Sequence, residues 1–156
     1  MSNKSHRLGF TLIELLVVIG VLAILLTIVL IAINPARQFS QSNNTKRRSD
    51  INAILNAIDQ YAADNRGNLT ALGIPDTTAG AAVVGDGVGE VDVCALLVPT
   101  YLAALPVDPL TNNGASVADC TAAHTTNYSV VRSTTNNRVT VAAPGAELNE
   151  VISVTR

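Results

Sequence analysis

Glu14 is the residue whose type and setting most directly suggest chemistry. It is the only charged side chain between Phe10 and Ile33, a stretch dominated by leucine, isoleucine and valine. An ionised carboxylate in a membrane-spanning helix costs about 2 kcal/mol or more unless it is paired or lies near the interface. Glu14 therefore either lies within a turn of the membrane surface, hydrated or neutral, or pairs with a cation supplied from outside the helix.

Residues suited to catalysis or ligand binding are few. His124 stands alone in a threonine-rich segment, where we expect it to be exposed rather than to act as a base. No two carboxylates have the spacing of an acid–base pair, and the Gly85–Gly89 and Asp86–Asp92 patterns match neither a dinucleotide-binding loop nor an EF-hand. The sequence predicts no enzyme activity, no cofactor and no metal site.

The net charge of −2 argues against a general nucleic-acid-binding protein. The acidic residues are concentrated in the carboxy-terminal part, which would repel a phosphate backbone. We expect no specific nucleic-acid partner.

Cys94 and Cys120 are the only cysteines. Their spacing fits neither a C-x-x-C redox motif nor a four-ligand zinc site, so a disulfide is the better interpretation. Such a bond would stabilise a small domain by roughly 3–4 kcal/mol on the chain-entropy model, and it favours an oxidising location outside the cytoplasm.

The element that must position Glu14 is the apolar segment 10–33. Its 24 residues would form about 36 Å of helix, enough to cross a hydrocarbon core of roughly 30 Å with some tilt. A buried helix of a soluble domain rarely has such a composition. We therefore predict a transmembrane helix over residues 10–33.

The amino-terminal pattern resembles a known family. A short basic leader, then Gly9-Phe10-Thr11-Leu12-Ile13-Glu14, then an unbroken apolar run, is similar to the class III signal of type IV pilins and of type II secretion pseudopilins. The resemblance implies that residues 1–9 are a leader, that a prepilin peptidase cuts between Gly9 and Phe10, and that Phe10 is N-methylated. His6 would leave with the leader.

The resemblance also supplies a cation for Glu14. Cleavage would create an α-amino group on Phe10, largely protonated at neutral pH. In the family, this ammonium of an incoming subunit is thought to meet the glutamate of a subunit already in the filament. Phe10 and Glu14 are thus implied to be assembly residues that fix subunit register.

Residues 34–67 are predicted to form an amphipathic helix that continues the stem. Asn34 and Pro35 interrupt the apolar run and suit the start of a new helix, and Gly67 suits its end. For the basic run Lys46, Arg47 and Arg48 we consider a solvated face, contact with anionic lipid headgroups, or contact with acidic neighbouring subunits. The third is supported by charge: residues 34–66 hold five Lys and Arg against three Asp, and residues 69–156 hold three Arg against eight Asp and Glu.

Residues 68–156 are predicted to form a globular head. A loop fills residues 68–92, with one short strand near residues 81–84, and three antiparallel strands are expected near residues 128–131, 138–142 and 151–155. The segment from Tyr101 to Pro109 resembles the Tyr-Leu…Leu-Pro-x-Asp-Pro stretch of major pseudopilins. Together these features predict an α+β, pilin-like fold, with a long amino-terminal helix packed on a small antiparallel sheet of about three strands.

Three functions remain open at this stage. The first is a type IV pilin that polymerises with copies of itself into a filament for adhesion, twitching motility or DNA uptake. It would be a single-pass protein of the inner (cytoplasmic) membrane before assembly and part of an extracellular filament afterwards, with the prepilin peptidase, the methylase and the assembly machinery as partners. The second is a type II secretion pseudopilin, and the third is a binding domain held by a single membrane span, which would not need Glu14.

Overall fold

The computed structural model describes residues 9–156, so the predicted leader, apart from Gly9, lies outside the described residues. The chain divides between Gln38 and Phe39 into two compact units. The first contains the apolar helix and the second contains the sheet.

In the first unit, helix α1 spans Leu12–Ile33. None of its residues is buried, and by length and composition it could cross a membrane. The helix ends at Asn34, which adopts a left-handed conformation (φ 46°), and Asn34 Oδ1 then accepts a hydrogen bond from the Arg37 amide at 3.3 Å. The predicted break before Pro35 is confirmed.

Helix α2 spans Pro35–Asp64. Its apolar residues recur at spacings of three and four, which places them on one face of the helix. After α2, Gly67 takes a positive φ of 80° and its amide bonds the Ala62 carbonyl at 2.7 Å, which closes the helix end. The apolar residues that α2 buries are Ile51, Ile54, Leu55, Ala57, Ile58 and Tyr61.

The sheet has four antiparallel strands in the order β1-β2-β3-β4. The strands are β1 (Ala82–Gly85), β2 (Thr125–Arg132), β3 (Val139–Ala142) and β4 (Ser153–Thr155). The sequence predicts about three strands in the sheet, one fewer than the structure shows. The fourth strand is β1, the short strand expected near residues 81–84, which pairs with β2 through Ala82 and Val130.

The core lies between the sheet and the apolar face of α2. Tyr128, Val130 and Val141 from the sheet are fully buried in the same cluster as Ile54 and Leu55. The predicted α+β arrangement is confirmed. Within the second unit, the element that packs on the sheet is the part of α2 that follows Phe39.

A short helix, α3 (Cys94–Leu97), was not predicted. It positions Cys94, which is buried and forms a disulfide with Cys120 across a Cα–Cα distance of 5.5 Å. The disulfide ties α3 to the loop that precedes β2.

Candidate functional site

The Gly9–Phe10 junction lies in an exposed segment ahead of α1. Residues 9–11 are not helical, and the Phe10 side chain is 77 % exposed. A Cβ at Gly9 would meet no atom within 4 Å, and Gly9 does not have a positive φ. The fold therefore does not require glycine at this position, so another constraint must explain it.

Thr11 and Glu14 form the cap of α1. The Thr11 hydroxyl accepts a hydrogen bond from the Glu14 amide at 3.3 Å and lies 3.5 Å from Glu14 Oε2. Threonine at the N-cap with glutamate three residues later is a capping-box pattern, and a carboxylate in the first turn also complements the helix dipole. Sequence reasoning missed this local role, although the T-x-x-E spacing was visible.

The remaining polar side chain of α1 satisfies its own hydrogen bond. The Thr27 hydroxyl donates to the Ala23 carbonyl, one turn back, at 2.8 Å. This internal bond lets threonine lie in an apolar environment without an external partner. Glu14 is thus the one side chain of α1 whose charge calls for a partner outside the helix.

The basic run on α2 meets acidic residues of the same chain. Arg47 is fully buried; its Nε and Nη2 lie 2.6 and 3.1 Å from the two carboxylate oxygens of Asp108. Its Nη1 donates to Glu147 at 2.8 Å. The hydrogen bond with Asp108 is the main cause of the raised pKa of Arg47, against the opposing effect of burial.

Lys46 and Arg48 are also paired. Lys46 Nζ lies 2.7 Å from Asp50 and donates to the Val107 carbonyl, and Arg48 lies 2.5 Å from Glu150. All three alternatives considered for this run, a solvated face, contact with lipid headgroups and contact with acidic neighbouring subunits, are therefore wrong for the buried Arg47. The head supplies the counter-charge for Arg47 and Arg48 within one subunit, whereas the counter-charge of Lys46 is Asp50 on α2 itself.

Glu147 fastens the loop between β3 and β4 to α2. Its carboxylate accepts hydrogen bonds from Ser40, Asn43 and Arg47, each at 2.8 Å. The Asn44 side chain donates to the Glu147 carbonyl and accepts a hydrogen bond from the Glu147 amide. The hydrogen bond from Arg47 is the largest cause lowering the pKa of Glu147 to about 2. The loop is thereby held against the polar part of α2.

Asp50 carries a second buried interaction across the core. The Tyr128 hydroxyl donates to Asp50 Oδ2 at 2.7 Å, beside the Lys46 contact. Burial is the main reason why the pKa of Tyr128 is raised well above its ordinary value, and the bond to Asp50 adds to it. This bond joins β2 to α2 at the edge of the apolar core.

The comparisons with known proteins concern the amino-terminal segment. A family model described as the prokaryotic N-terminal methylation motif matches residues 4–30. The chain carries the amino-terminal signal of type IV pilin-like prepilins. No curated protein and no solved structure matches the chain.

The prepilin motif accounts for features that the fold leaves unexplained. It covers Gly9, which no packing contact requires, and Glu14, whose charge has no cationic partner in α1. The motif also implies processing by a prepilin peptidase and use by a pilus-type assembly machinery. Membrane anchoring before assembly follows from the same motif together with the exposed apolar helix.

The prediction that His124 is exposed is wrong. Its side chain is only 4 % exposed, its Nδ1 lies 2.9 Å from the Ala122 carbonyl, and its buried Nε2 has no hydrogen-bond partner within residues 9–156. Asp92 is the nearest carboxylate to Nε2, at 3.7 Å. The ring packs behind the loop that carries Asp86 and Glu90, which no local sequence signal indicated.

A cleft of about 670 Å³ lies beside this histidine. Alanine, threonine and acidic side chains line it, including Asp86, Glu90 and Asp119. Within the described part of the chain, no group of three or more histidine, cysteine or acidic side chains has the geometry to hold a metal.

Proposed function

We propose that this chain is a type IV pilin: a structural subunit that is cut after Gly9, methylated on Phe10 and assembled into a helical surface filament. The observation that carries the proposal is the prepilin motif at residues 4–30, which includes most of an apolar helix without a buried residue. A helix of 22 residues, apolar except for Glu14, Gly20 and Thr27 and without a buried position, requires either lipid or other copies of the helix around it. Membrane insertion and filament assembly supply these two environments in turn.

Glu14 gives the proposal its chemical specificity. A helix that only anchors a domain gains nothing from a carboxylate in its first turn beyond a cap, which an uncharged residue also supplies. A helix that must dock at one register against others gains a site for the ammonium of Phe10 on the next subunit. In an apolar surrounding this ion pair would be strong enough to select one register.

The proposal places the chain in the inner membrane before assembly. The second unit, with its disulfide, would lie on the oxidising side. The filament would serve adhesion, twitching motility or DNA uptake, and its partners would be its own copies, the prepilin peptidase and methylase, and the assembly machinery.

A type II secretion pseudopilin is the second candidate, favoured by the segment from Tyr101 to Pro109. In this chain Asp108 of that segment is engaged by Arg47 through both carboxylate oxygens, and one of them also accepts the Leu110 amide at 2.9 Å. The segment thus has a structural task in the head. Because this structural role would suit either kind of subunit, the segment is weaker support for a pseudopilin than its sequence suggests.

The test is the intact mass and amino-terminal sequence of the protein from native membranes and from sheared surface material. A start at methylated Phe10 in sheared filaments is expected. Processed protein that stays in the cell envelope while secretion depends on it would favour the pseudopilin. An uncut amino terminus, with the protein confined to the membrane, would contradict both and favour a single-span binding domain.

A matched variant sharpens this test. Gly9→Val should abolish cleavage, while the second unit remains folded because no contact surrounds Gly9. Protection of the head from protease, compared with wild type, checks that folding is unchanged. Normal processing of Gly9→Val would show that the motif does not act as a cleavage signal.

A further inference from the structure

All the cationic side chains of residues 69–156 line one cleft. They are Arg132, Arg138 and Arg156, and the cleft has a volume of about 350 Å³. We call it the arginine cleft. Leu69 and Val139, both largely buried, contribute apolar surface to its lining.

Within residues 9–156, two of the three guanidinium groups form no ion pair with a carboxylate. Arg156 lies 3.5 Å from Asp59, whereas no carboxylate in residues 9–156 comes within 4 Å of the side-chain nitrogens of Arg132 or Arg138. Arg138 makes only a long contact, 3.5 Å, to the Thr155 carbonyl.

Asp76, which forms a backbone bridge with Arg132, uses only Oδ1 to accept the Thr78 hydroxyl and the amides of Thr78 and Ala79. The Thr78 hydrogen bond is the main cause of its lowered pKa, and the charge of Arg132 adds to it, so Asp76 compensates part of the Arg132 charge without a direct ion pair. The cleft therefore presents two guanidinium groups outside any ion pair of the described residues, beside the Arg156–Asp59 pair.

A projecting loop of the same head has the complementary composition. The acidic loop, Asp86 to Glu90, holds Val88 at its tip with the side chain fully exposed. The two acids flank this apolar tip, and no Lys or Arg pairs with either of them within the described residues. The acidic loop thus offers two carboxylates, and the arginine cleft offers Arg132 and Arg138, so the two surfaces carry opposite charge.

The acidic loop is also held in shape before any contact forms. Asp86 accepts the His124 amide at 2.7 Å, and Glu90 accepts the Thr125 hydroxyl at 2.8 Å and the Gly87 amide at 3.1 Å. A loop that is already ordered loses less conformational entropy on binding than a mobile one. Each carboxylate keeps unused acceptor capacity, because a carboxylate offers about four lone-pair sites.

The acidic loop and the arginine cleft lie at opposite ends of β2. The loop packs against Thr125 at the start of the strand, and Arg132 ends it, which separates them by about 23 Å at ~3.3 Å per residue. One head cannot satisfy both sites by itself. Two different surfaces of one molecule that complement each other form a heterologous contact, which repeats from copy to copy and builds an open polymer.

We propose that the arginine cleft of one subunit receives the acidic loop of the next, with the two acids against Arg132 and Arg138. The proposal rests on the proposed function, because assembly of the stems would bring the heads to high local concentration. The contact adds charge complementarity between heads, which favours one relative orientation of neighbours.

Disulfide cross-linking of whole filaments tests the contact. Val88 and Asn136 are exposed, and both native cysteines are already bonded to each other, so Val88→Cys with Asn136→Cys adds one reporter at each site. After mild oxidation, denaturing gels without reductant should show a ladder of dimers and higher multimers. The matched control, Val88→Cys with Val151→Cys, pairs the loop with an exposed position outside the cleft and should give no ladder.

Charge variants provide the second measurement. Arg138→Glu should lower the yield of sheared filaments by at least about tenfold, while cleavage at Gly9 stays normal, and Arg138→Lys should keep most of the yield. Normal filaments without a cross-linked ladder, or with a full yield from Arg138→Glu, would overturn this contact and leave the pilin proposal standing. Processed wild-type protein that never forms filaments would overturn both.

Discussion

The Arg47 guanidinium and the Asp108 carboxylate form a two-point ion pair with both side chains excluded from solvent, at 2.6 and 3.1 Å. Arg47 also donates to Asn44 and Glu147, so its charge is compensated by a network rather than by one contact. A buried ion pair of this kind contributes little to folding stability relative to a well-packed apolar replacement. Loss of one partner, however, leaves the other charge buried without a counter-charge.

Arg47→Met is therefore expected to destabilise the second unit by about 3–5 kcal/mol, because Asp108 would remain buried without its counter-charge. Urea unfolding of the full chain in detergent, followed by tyrosine fluorescence, measures the change. The exposed Arg48 is the matched control, and Arg48→Met should cost at most about 1 kcal/mol. Equal effects of the two substitutions would show that the Arg47 network carries no special weight.

Stability should fall in acid because of Glu147. Its folded-state pKa of about 2 lies below the ordinary value of 4.5, so its contribution is fully present above about pH 5 and is lost as the pH falls toward 2. Asp76 and Asp119 act in the same direction, since hydrogen bonds from Thr78 and Thr121 lower their pKa values.

Thermal unfolding of wild type and of Glu147→Gln across pH 2–7 measures the effect. The variant should be less stable at pH 7 and should lose less stability on acidification, so the two curves converge at low pH. Parallel curves over the whole range would exclude Glu147 as a source of the acid sensitivity.

The disulfide should stabilise the head by about 3–4 kcal/mol, because it closes a loop with a sequence separation of 26 in a small domain. Cys94→Ser with Cys120→Ser should lower the unfolding midpoint in urea by the corresponding amount. Reductant should have the same effect on wild type and none on the double variant. A variant as stable as the oxidised wild type would contradict this assignment.

The amino-terminal elements could be predicted because their signals are local. The apolar run, the Asn34-Pro35 break and the T-x-x-E spacing can each be read from one continuous segment. The run and the break predict the helix and its end, whereas the role of Thr11 and Glu14 as a cap became clear only from the structure. The apolar face of α2 and the strands follow from periodicity in the same way. Only the pairing of the short β1 strand with β2 raised the count from three to four.

The Arg47 network could not be predicted, because the residues that surround Arg47 come from distant parts of the chain. Asp108 lies 61 residues away and Glu147 lies 100 residues away, so nothing in Lys46-Arg47-Arg48 distinguishes a buried arginine from a solvated one. The segregation of basic and acidic residues was recognised. Without a structure it indicated contacts between subunits as readily as contacts within one.

The burial of His124 could not be predicted for the same reason. Its burial depends on the meeting of the acidic loop with the segment before β2, and neither segment has an apolar periodicity that would signal packing. A lone histidine between threonines therefore carries no sequence signal of its environment.

The cap formed by Thr11 and Glu14 allows the two possible tasks of Glu14 to be separated. Glutamine at the same position also completes a capping box, but it carries no charge. If Glu14 serves only the helix end, Glu14→Gln should behave as wild type. If its charge meets the Phe10 ammonium of the neighbouring subunit, Glu14→Gln should fail to enter filaments, as Glu14→Val should.

We expect the second result, with normal membrane insertion and normal cleavage after Gly9 in both variants. Sheared filament yield, measured beside the mass of the processed membrane protein, separates assembly from processing. Thr11→Ala is the matched control, since it removes the cap at a cost of about 1 kcal/mol but keeps the charge, and it should still assemble. Filaments from Glu14→Gln at wild-type yield would restrict Glu14 to the helix cap, because the charge would then be dispensable for the register of the stems.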